Sequence, residues 1–494
     1  MQSVGAAWLM ATLAPTALLV ALVQTATNLP VFLMGVPAGA IADIADRRKL
    51  LLITQGWMLL AAAILGALTL SGATGPWTLL WLTFALGLGS AMNGPAWQAI
   101  MPELVPKKEL PGAIALNSVG FNLARAAGPA LGGLVVAAIG AGATFVLNAV
   151  SFVGVMMVLY MWKRKPEHVS TSPERVWTAI GAGMRYIRFA PSMHAVLLRS
   201  GTFVLSASAL WAILPLVAKV ELQRDSSGYG VLLGCLGGGS ILGALVIARL
   251  RQLMSLDVLV TSAMALFGLV NIALSYLTRF GAVALALLAG GMAWMAVNSS
   301  LNTAAQTSLP GWVRARALGV YLLVFQSAMA IGAVIWGEVA SQFGLRTTML
   351  VAGIALLVGA GATARLRLSG FREVDTTPSN HWPEPSMLVD RHPEHGPVLV
   401  TVEYFIDPAR GLEFSEAMQP VRRIRRRDGA IRWGLYEDAA IPGRYIETFV
   451  VESWAEHLRQ HERVTVSDRE MEAKAWAYHQ GDGAPKVTHW IAAR

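Results

Sequence analysis

The sequence predicts an all-α polytopic membrane bundle of two six-helix repeats, the first helix truncated, followed by a C-terminal α+β ferredoxin-like domain. Three observations carry this. Apolar stretches of about 20 residues, the length with which a helix crosses about 30 Å of hydrocarbon, recur from Met1 to Ala364. Of the residues 55% are hydrophobic and only 14% charged, a balance suited to contact with lipid rather than water. Basic residues crowd into alternate loops. Lipid supplies no hydrogen-bond partners, so spans without period-two alternation must be helices that satisfy their own backbone.

The charge distribution narrows the partners. The formal net charge is +9, but residues 1–364 hold 21 Lys and Arg against 10 Asp and Glu, while 365–494 hold 18 against 20. The basicity therefore belongs to the membrane part and argues against a nucleic-acid partner. Arg47, Arg48 and Lys49, then Lys107 and Lys108, Lys163 to Arg188, Arg249 and Arg251, and Arg314 and Arg316 occupy alternate loops, which the positive-inside rule assigns to the cytoplasm. The region after Ala364 follows on the same side, so the C-terminus is expected to be cytoplasmic and the protein to sit in an inner or plasma membrane. The single cysteine, Cys235, excludes a disulfide framework.

Taken in order, Val4 to Leu13 runs apolar for half a crossing into Ala14-Pro15-Thr16 and reads as the outer half of a truncated first helix. Hydropathy then places spans at 17–42, 50–70, 77–100, 113–138 and 141–161, completing an N-terminal repeat over residues 1–161. A connection over 162–194 follows. Within it Val176, Trp177, Ile180, Met184 and Ile187 recur at helical spacing, which predicts an amphipathic helix on the inner membrane surface. Spans at 195–218, 229–250, 257–277, 282–308, 318–340 and 346–364 form the C-terminal repeat over 195–364.

The repeats echo each other in sequence. Gln98, Pro102, Val105, Lys108 and Leu110 recur 208 residues later as Gln306, Pro310, Val313, Arg316 and Leu318. Gly133, Gly140 and Thr144 are answered at an offset of 204 by Gly337, Gly344 and Thr348. Two halves in the same orientation are the architecture in which a midplane site is exposed to one side at a time by rocking.

The loop Gly39-Ala-Ile-Ala-Asp43-Ile-Ala-Asp46-Arg47-Arg48-Lys49 combines a glycine permitting close helix approach with an acid and a basic cluster that can latch in one state only. It resembles the signature loop of the major facilitator superfamily. Its departures, Ile44 and Asp46 where Arg and Gly are usual, resemble the subgroup similar to enterobactin exporters, the transmembrane secretion effectors. In the fifth span Gly128-Pro129-Ala-Leu-Gly132-Gly133 resembles the superfamily's antiporter and exporter motif; Pro129 removes a backbone hydrogen bond and the glycines thin the helix. Gly237-Gly238-Gly239-Ser240, by contrast, lies mid-span with no preceding strand and reads as a packing face, not a phosphate loop.

Polar residues inside spans are the candidate pathway: Arg125 above all, since a mid-span Arg faces a bundle interior or wet cavity, with Asn93, Gln98, Asn117, Asn122, Asn148, Asn298, Asn302, Gln306 and Gln326. For each amide, interhelical hydrogen bonding is an equal claim on the side chain. Glu338 lies near the outer end of its span and is the candidate proton carrier.

Residues 365–396 turn polar and proline-rich, the mark of a linker. Over 397–494 strands are expected at Val398–Ile406, Ala430–Tyr436, Tyr445–Val451 and Lys486–Ile491, and helices at Pro408–Arg427 and Trp454–His479. This domain resembles the dimeric α/β barrels of the antibiotic-biosynthesis monooxygenase type, which makes self-association through it an expectation. His457 and His461 share a helix face, but without a third ligand they read as a solvated face, so no metal is expected. Arg422, Arg423, Arg425, Arg426 and Arg427 form a basic helix end for solvent or anionic lipid heads.

The resemblance implies an alternating-access exporter of small amphipathic molecules, siderophore or drug-like, coupled to protons, needing no cofactor and performing no catalysis. Its partners are the lipid bilayer, a small-molecule substrate and protons. Two rival readings are a bifunctional protein whose tail is enzyme or sensor, and a non-transporting membrane scaffold.

Overall fold

The computed structural model describes the chain except residues 45, 106–107, 163–175, 369–374, 376, 380, 383–394 and 494. It divides into two compact units, Met1–Thr171 with Leu197–Asn302 and Tyr321–Arg367, and Ser172–Val196 with Thr303–Val320 and Leu368–Arg494.

The bundle helices follow the hydropathy pattern; residues 191–196 and 303–320 of them fall in the second unit and the rest in the first. The N-terminal half comprises α1 (Gln2–Leu13), α2 (Ala17–Ile44), α3 (Arg47–Leu70), α4 (Pro76–Leu104), α5 (Leu110–Ile139) and α6 (Ala141–Met161). After α7 (Val176–Phe189), which belongs to the second unit, the C-terminal half comprises α8 (Pro191–Leu216), α9 (Ser226–Leu253), α10 (Leu256–Tyr276), α11 (Phe280–Thr307), α12 (Gly311–Phe343) and α13 (Leu345–Thr363). Nine helices among the described residues are long and apolar enough to cross a membrane. Several run beyond the expected spans at the end that carries the Arg47 loop, because the polar residues there continue the helix and cap it: Asp46 accepts from the Lys49 amide at 3.0 Å.

The opposite end carries two tight corners. Gly140 separates α5 from α6 with φ +87°, and Gly344 separates α12 from α13 with φ +84°, a conformation that favours glycine. Thr144 and Thr348, both fully buried one turn later, return hydroxyl hydrogen bonds to Ala141 and Gly344 carbonyls at 2.7 and 2.8 Å. The corners sit at equivalent places in the two halves, so the sequence echo at an offset of 204 is an echo in structure.

One charge inside the bundle escaped the sequence reading. Arg199, on α8 and fully buried, pairs with Asp257 at the start of α10 at 3.1 Å and donates to the Thr363 and Ala364 carbonyls, each at 3.1 Å. It ties the ends of α8, α10 and α13 together, where the exposed C-terminal carbonyls of α13 and a carboxylate offset the cost of burying a guanidinium.

In the second unit the tail has β1 (Val398–Phe405), a short 3₁₀ turn at Pro408–Arg410, α14 (Gly411–Asp428), β2 (Arg432–Glu437), β3 (Arg444–Val451), α15 (Trp454–Arg463), α16 (Val466–Trp476) and β4 (Lys486–Ile491). The sheet order is β2-β3-β1-β4, with every neighbouring pair antiparallel. Alternate residues Val398, Val400, Val402 and Tyr404 of β1 are buried with Phe414, Met418 and Val421 of α14, the period-two signature of a sheet covered on one face.

Two expectations need correction here. The helix expected over Trp454–His479 is broken in two, because Thr465 and Asp468 form a reciprocal capping box that starts a new helix. The segment 365–396 is more than a linker: Pro378 bridges to Thr465, and the Ser379 amide donates to the Val464 carbonyl at 2.9 Å.

Candidate functional site

The halves meet at the Gly140 end through helices stripped of side chains. A Cβ on Gly133 of α5 would come within 2.7 Å of the Gly230 Cα and the Ser226 carbonyl of α9. A Cβ on Gly337 of α12 would lie 2.5 Å from the Ala21 Cβ and 3.2 Å from the Leu18 Cα of α2. Gly133 and Gly337 are the equivalent residues of the two repeats, so each half contributes one glycine crossing to the other, and close backbone approach is what small residues permit. Polar contacts reinforce the crossings. Leu18 N–H donates to Ser341 Oγ and Thr25 Oγ1 to the Ala330 carbonyl, each at 2.9 Å, and Lys219 Nζ donates to the Ala11 carbonyl at 2.7 Å. Trp8 stacks on Tyr229 with ring centroids 6.0 Å apart. Lys219 lies in a single π turn, Val217–Glu221, that follows Pro215, and it seats its ammonium on the carbonyl end of α1. Hydropathy gave no sign of these contacts between the halves beyond the glycines.

Toward the middle of the C-terminal half lies an aromatic cluster. Trp294 of α11 touches Phe203 and Trp211 of α8, each at a centroid distance of 5.4 Å, Phe267 of α10 at 6.0 Å and Phe325 of α12 at 6.2 Å. Two of these contacts are edge-to-face and two tilted, and together the rings make an apolar wall. Among the described residues the Trp211 indole N–H has no partner. The sequence reading concentrated on polar residues and passed over these rings, although four of the five fall mid-helix. Two predicted residues border the cluster: Asn298, one turn from Trp294 and donating to its carbonyl at 2.9 Å, and Gln326, half-buried beside Phe325.

The other predicted residues scatter. Asn93 accepts from Thr54 at 3.3 Å and Gln55 at 3.2 Å, so it joins α4 to α3; neither partner was anticipated. Asn148 of α6 is hydrogen-bonded to Gln2 of α1. Gln98, Asn117, Asn302 and Gln306 are exposed on their helices. Glu338 is exposed and accepts from Gln342 one turn on. The side chains of Arg125, Asn122 and Asp43 lie outside the described residues. In the Arg47 loop, Arg48 Nε and Nη2 donate to the Leu159 and Tyr160 carbonyls at 2.9 and 2.5 Å, pinning α3 to the end of α6, while Asp46 caps α3. Gly128 has open space around it at Cβ distance except for the Met1 nitrogen at 3.8 Å, Pro129 offers its carbonyl 3.2 Å from where a Gly230 Cβ would sit, and Gly132 packs on Met1.

The tail overturns the reading of its charges. Arg425 is 3% exposed, not a surface cation: its Nε donates to Glu447 at 3.0 Å and its Nη1 to Glu472. Trp433 and Tyr404 complete the shell of Glu447 at 2.9 and 3.1 Å, and Trp382 and His381 that of Glu472 at 3.1 and 3.0 Å. Arg427 pairs with Asp428 and Asp468. The helix-spaced cations were taken for a solvated end because sequence does not show the four acids that meet them. Arg422 and Arg423 do remain exposed.

His457 is likewise buried, 1% exposed, against His461 and His489, so the solvated-face reading fails. Burial, then the neighbouring imidazoles, pushes the His457 pKa down to about 3 and, with Arg425, that of His461 to about 4. Among the described residues no three His, Cys, Asp or Glu side chains are arranged to hold a metal ion.

Comparison with known proteins bears on the whole chain. The family model described as transmembrane secretion effector matches residues 1–494. The chain is 24% identical over 372 residues to the multidrug efflux pump Tap of Mycobacterium tuberculosis, covering 72% of this chain and 86% of the relative. It is 23% identical over 362 residues to the staphyloferrin A transporter of Staphylococcus aureus, covering 72% and 89%. It is 26% identical over 375 residues to the enterobactin exporter EntS of Salmonella choleraesuis, covering 73% and 86%. Among solved structures, a bacterial homolog of the human lysosomal transporter Spinster, inward-facing and unoccupied, superposes with a TM-score of 0.58 at 16% identity, covering 75% of this chain and 95% of that one. A POT family transporter in complex with 5-aminolevulinic acid gives 0.58 at 14% identity, covering 73% and 92%.

Proposed function

The chain belongs to the transmembrane secretion effector family of major facilitator transporters, a multi-pass membrane protein and not an enzyme, and from that premise we propose that it exports small amphipathic molecules of siderophore or drug-like class by alternating access. The observation that carries the reading is the pair of glycine crossings at Gly133 and Gly337, related by the repeat and both at one end of the bundle. A seal assembled from equivalent residues of two halves opens when one half rocks on the other, and it does so without breaking covalent or ionic structure within either half.

By the positive-inside rule the Arg47 end is cytoplasmic and the sealed Gly140 end faces outward, with the C-terminus inside. The substrate surface is the wall of Trp211, Trp294 and Phe325 with Asn298 and Gln326, rings for a planar or greasy body and amides for its polar edge. Arg125, midway along α5, supplies the charge that anionic or polar cargo meets. Proton antiport is part of the proposal, with Glu338, an exposed carboxylate toward the outer end of α12 that accepts from Gln342, as carrier. The strand order β2-β3-β1-β4 with helices on one face supports a ferredoxin-like tail of the monooxygenase-type α/β barrel class, with self-association through its other face.

The test is accumulation in whole cells of ethidium and of a catecholate siderophore, with and without the protein. Lower accumulation of at least one is expected, and Arg125→Ala abolishes the difference while membrane abundance stays unchanged. Equal accumulation with and without the protein, or normal efflux by the variant, refutes the reading or the role of Arg125 respectively.

A further inference from the structure

One amide inside α10 goes unanswered. Ser262 and Ser275 of that helix return hydroxyl hydrogen bonds to the Leu259 and Ile272 carbonyls at 3.1 and 2.6 Å. Asn271, by contrast, is fully buried, and among the described residues neither its Oδ1 nor its Nδ2 has a partner. An amide with both ends unpaired inside a membrane helix costs stability, and a polar group kept there at that cost points to a use outside the fold.

Its surroundings follow from the ring contacts. Arg199 of α8 pairs with Asp257 of α10, and farther along both helices Phe203 meets Phe267 at a centroid distance of 5.5 Å, so the two run side by side in one direction. Asn271 stands one turn, about 6 Å, beyond Phe267, and Trp211 two turns, about 12 Å, beyond Phe203. Trp294 touches Phe203 and Trp211 alike at 5.4 Å and so spans the interval between them. Helix α11 passes the same point: Phe267 meets Trp294, and Val270 Cγ1 lies 3.2 Å from where a Cβ on Gly290, one turn from Trp294, would sit. Phe267, Asn271 and Leu274 form one buried stripe at i, i+4 and i+7, turned toward these rings. The amide therefore lies between the Phe203–Phe267 pair and the Trp211 indole, whose N–H likewise has no partner among the described residues.

We propose that Asn271 and Trp211 read the polar head of the cargo, and that this head is an uncharged planar group with a hydrogen-bond donor beside an acceptor, an amide. The inference rests on the aromatic wall being the substrate surface and names the chemistry that the wall selects. Three atoms set the requirement: Asn271 Oδ1 needs a donor, while Asn271 Nδ2–H and the Trp211 indole N–H need an acceptor. An amide carbonyl has two lone pairs for those N–H groups, and the amide N–H meets Oδ1. A carboxylate brings no donor and an ammonium no acceptor, so either would leave part of the site buried and unpaired. The apolar body of the cargo lies on the rings.

The experiment uses the full-length protein in lipid nanodiscs and two fluorescent probes of equal size, N-methyl-2-naphthamide and methyl 2-naphthoate, which differ only in an N–H against an ester oxygen. Binding is followed by fluorescence anisotropy and corrected with empty discs. The wild type is expected to hold the amide about tenfold more tightly than the ester, the penalty for leaving a buried acceptor without its donor. Asn271→Leu and Asn271→Ala should each bring the two affinities within about twofold of one another while ester binding stays within about threefold of wild type. Trp211→Phe should weaken both probes about fivefold and keep their ratio, because both carry the carbonyl that the indole N–H meets. Equal binding of the two probes by the wild type, or an amide preference that survives both Asn271 variants, overturns the proposal. So does loss of the ester along with the amide in both variants, since Asn271 would then shape the wall instead of reading the head. Unchanged binding in Trp211→Phe overturns the part given to its indole. Protein that binds ethidium but neither probe also counts against the amide head, whereas protein that binds neither the probes nor ethidium sinks the reading of the wall as substrate surface.

Discussion

The seam between the halves of the membrane bundle and the core of the tail are held together by opposite means. In the bundle the contacts between halves are made by subtraction: Gly133 on Gly230 and Gly337 on Ala21, with the Thr25 hydroxyl and the Lys219 ammonium donating to backbone carbonyls and the Ser341 hydroxyl accepting from the Leu18 amide. In the tail they are made by addition, with Arg425, Glu447 and Glu472 all within 3% of full burial and each carboxylate oxygen accepting a donor. Lipid gives helices no hydrophobic reason to associate, so fit decides which surfaces meet. A water-exposed domain of about a hundred residues has that driving force already, and its buried ion pairs serve to select one arrangement, each becoming costly once a partner is removed.

The contrast is broken most forcefully at Arg425. Replacing it with Leu leaves Glu447 and Glu472 buried without their cation, and a cost of ~3–5 kcal/mol is expected, enough to open the tail. Hydrogen exchange on the intact protein should show β1 and β3 losing protection while α10 and α13 keep theirs; protection that survives in the tail would mean that the network contributes little.

Gly133→Val tests the other means. The added side chain meets the Gly230 Cα at 2.7 Å, and overpacking of about 1–3 kcal/mol is expected to force α5 from α9 and reduce efflux at least tenfold, whereas Gly154→Val on α6, with open space around it, should leave efflux unchanged. Fitting surfaces would be irrelevant to the seal if the two variants behaved alike.

The smallest effect is expected from acid. His457 and His461 have folded pKa values depressed to about 3 and about 4 by burial, below the ordinary 6.5, so the unfolded tail binds more protons and stability falls as pH drops from about 6.5 toward 4. Asp428, which burial raises to about 6, works in the opposite sense and offsets part of the loss in that window. Tail melting in the full chain, followed by hydrogen exchange from neutral pH to about 5, should therefore show a modest decline that His457→Gln flattens; a tail that grows more stable on acidification would contradict the sign.

Legibility followed the same divide. Hydropathy located the bundle helices, and the repeat offsets picked out Gly133 with Gly337 and Gly140 with Gly344, because in lipid a residue's polarity largely tells where it goes. Polarity said little about pathway residues: Asn93 is spent on Thr54 and Gln55, and the rings around Trp294 were invisible to a search for polar groups. In the tail the strands were readable from alternation, but the fate of each Arg and His was not, since burial of a cation depends on acids that arrive from other strands and helices. Thr465 with Asp468 was a sequence-level capping signal overlooked inside a long helical run.

The corner glycines have a consequence for how such a protein changes over generations. Two corners 204 residues apart favour glycine through their positive φ, while the aromatic wall is built from rings that exchange for other bulky groups with little penalty. Random variation under selection for new cargo should therefore leave two silent columns at positions 140 and 344 and a diverse patch around 211, 294 and 325, a pattern that deep mutational scanning would print directly.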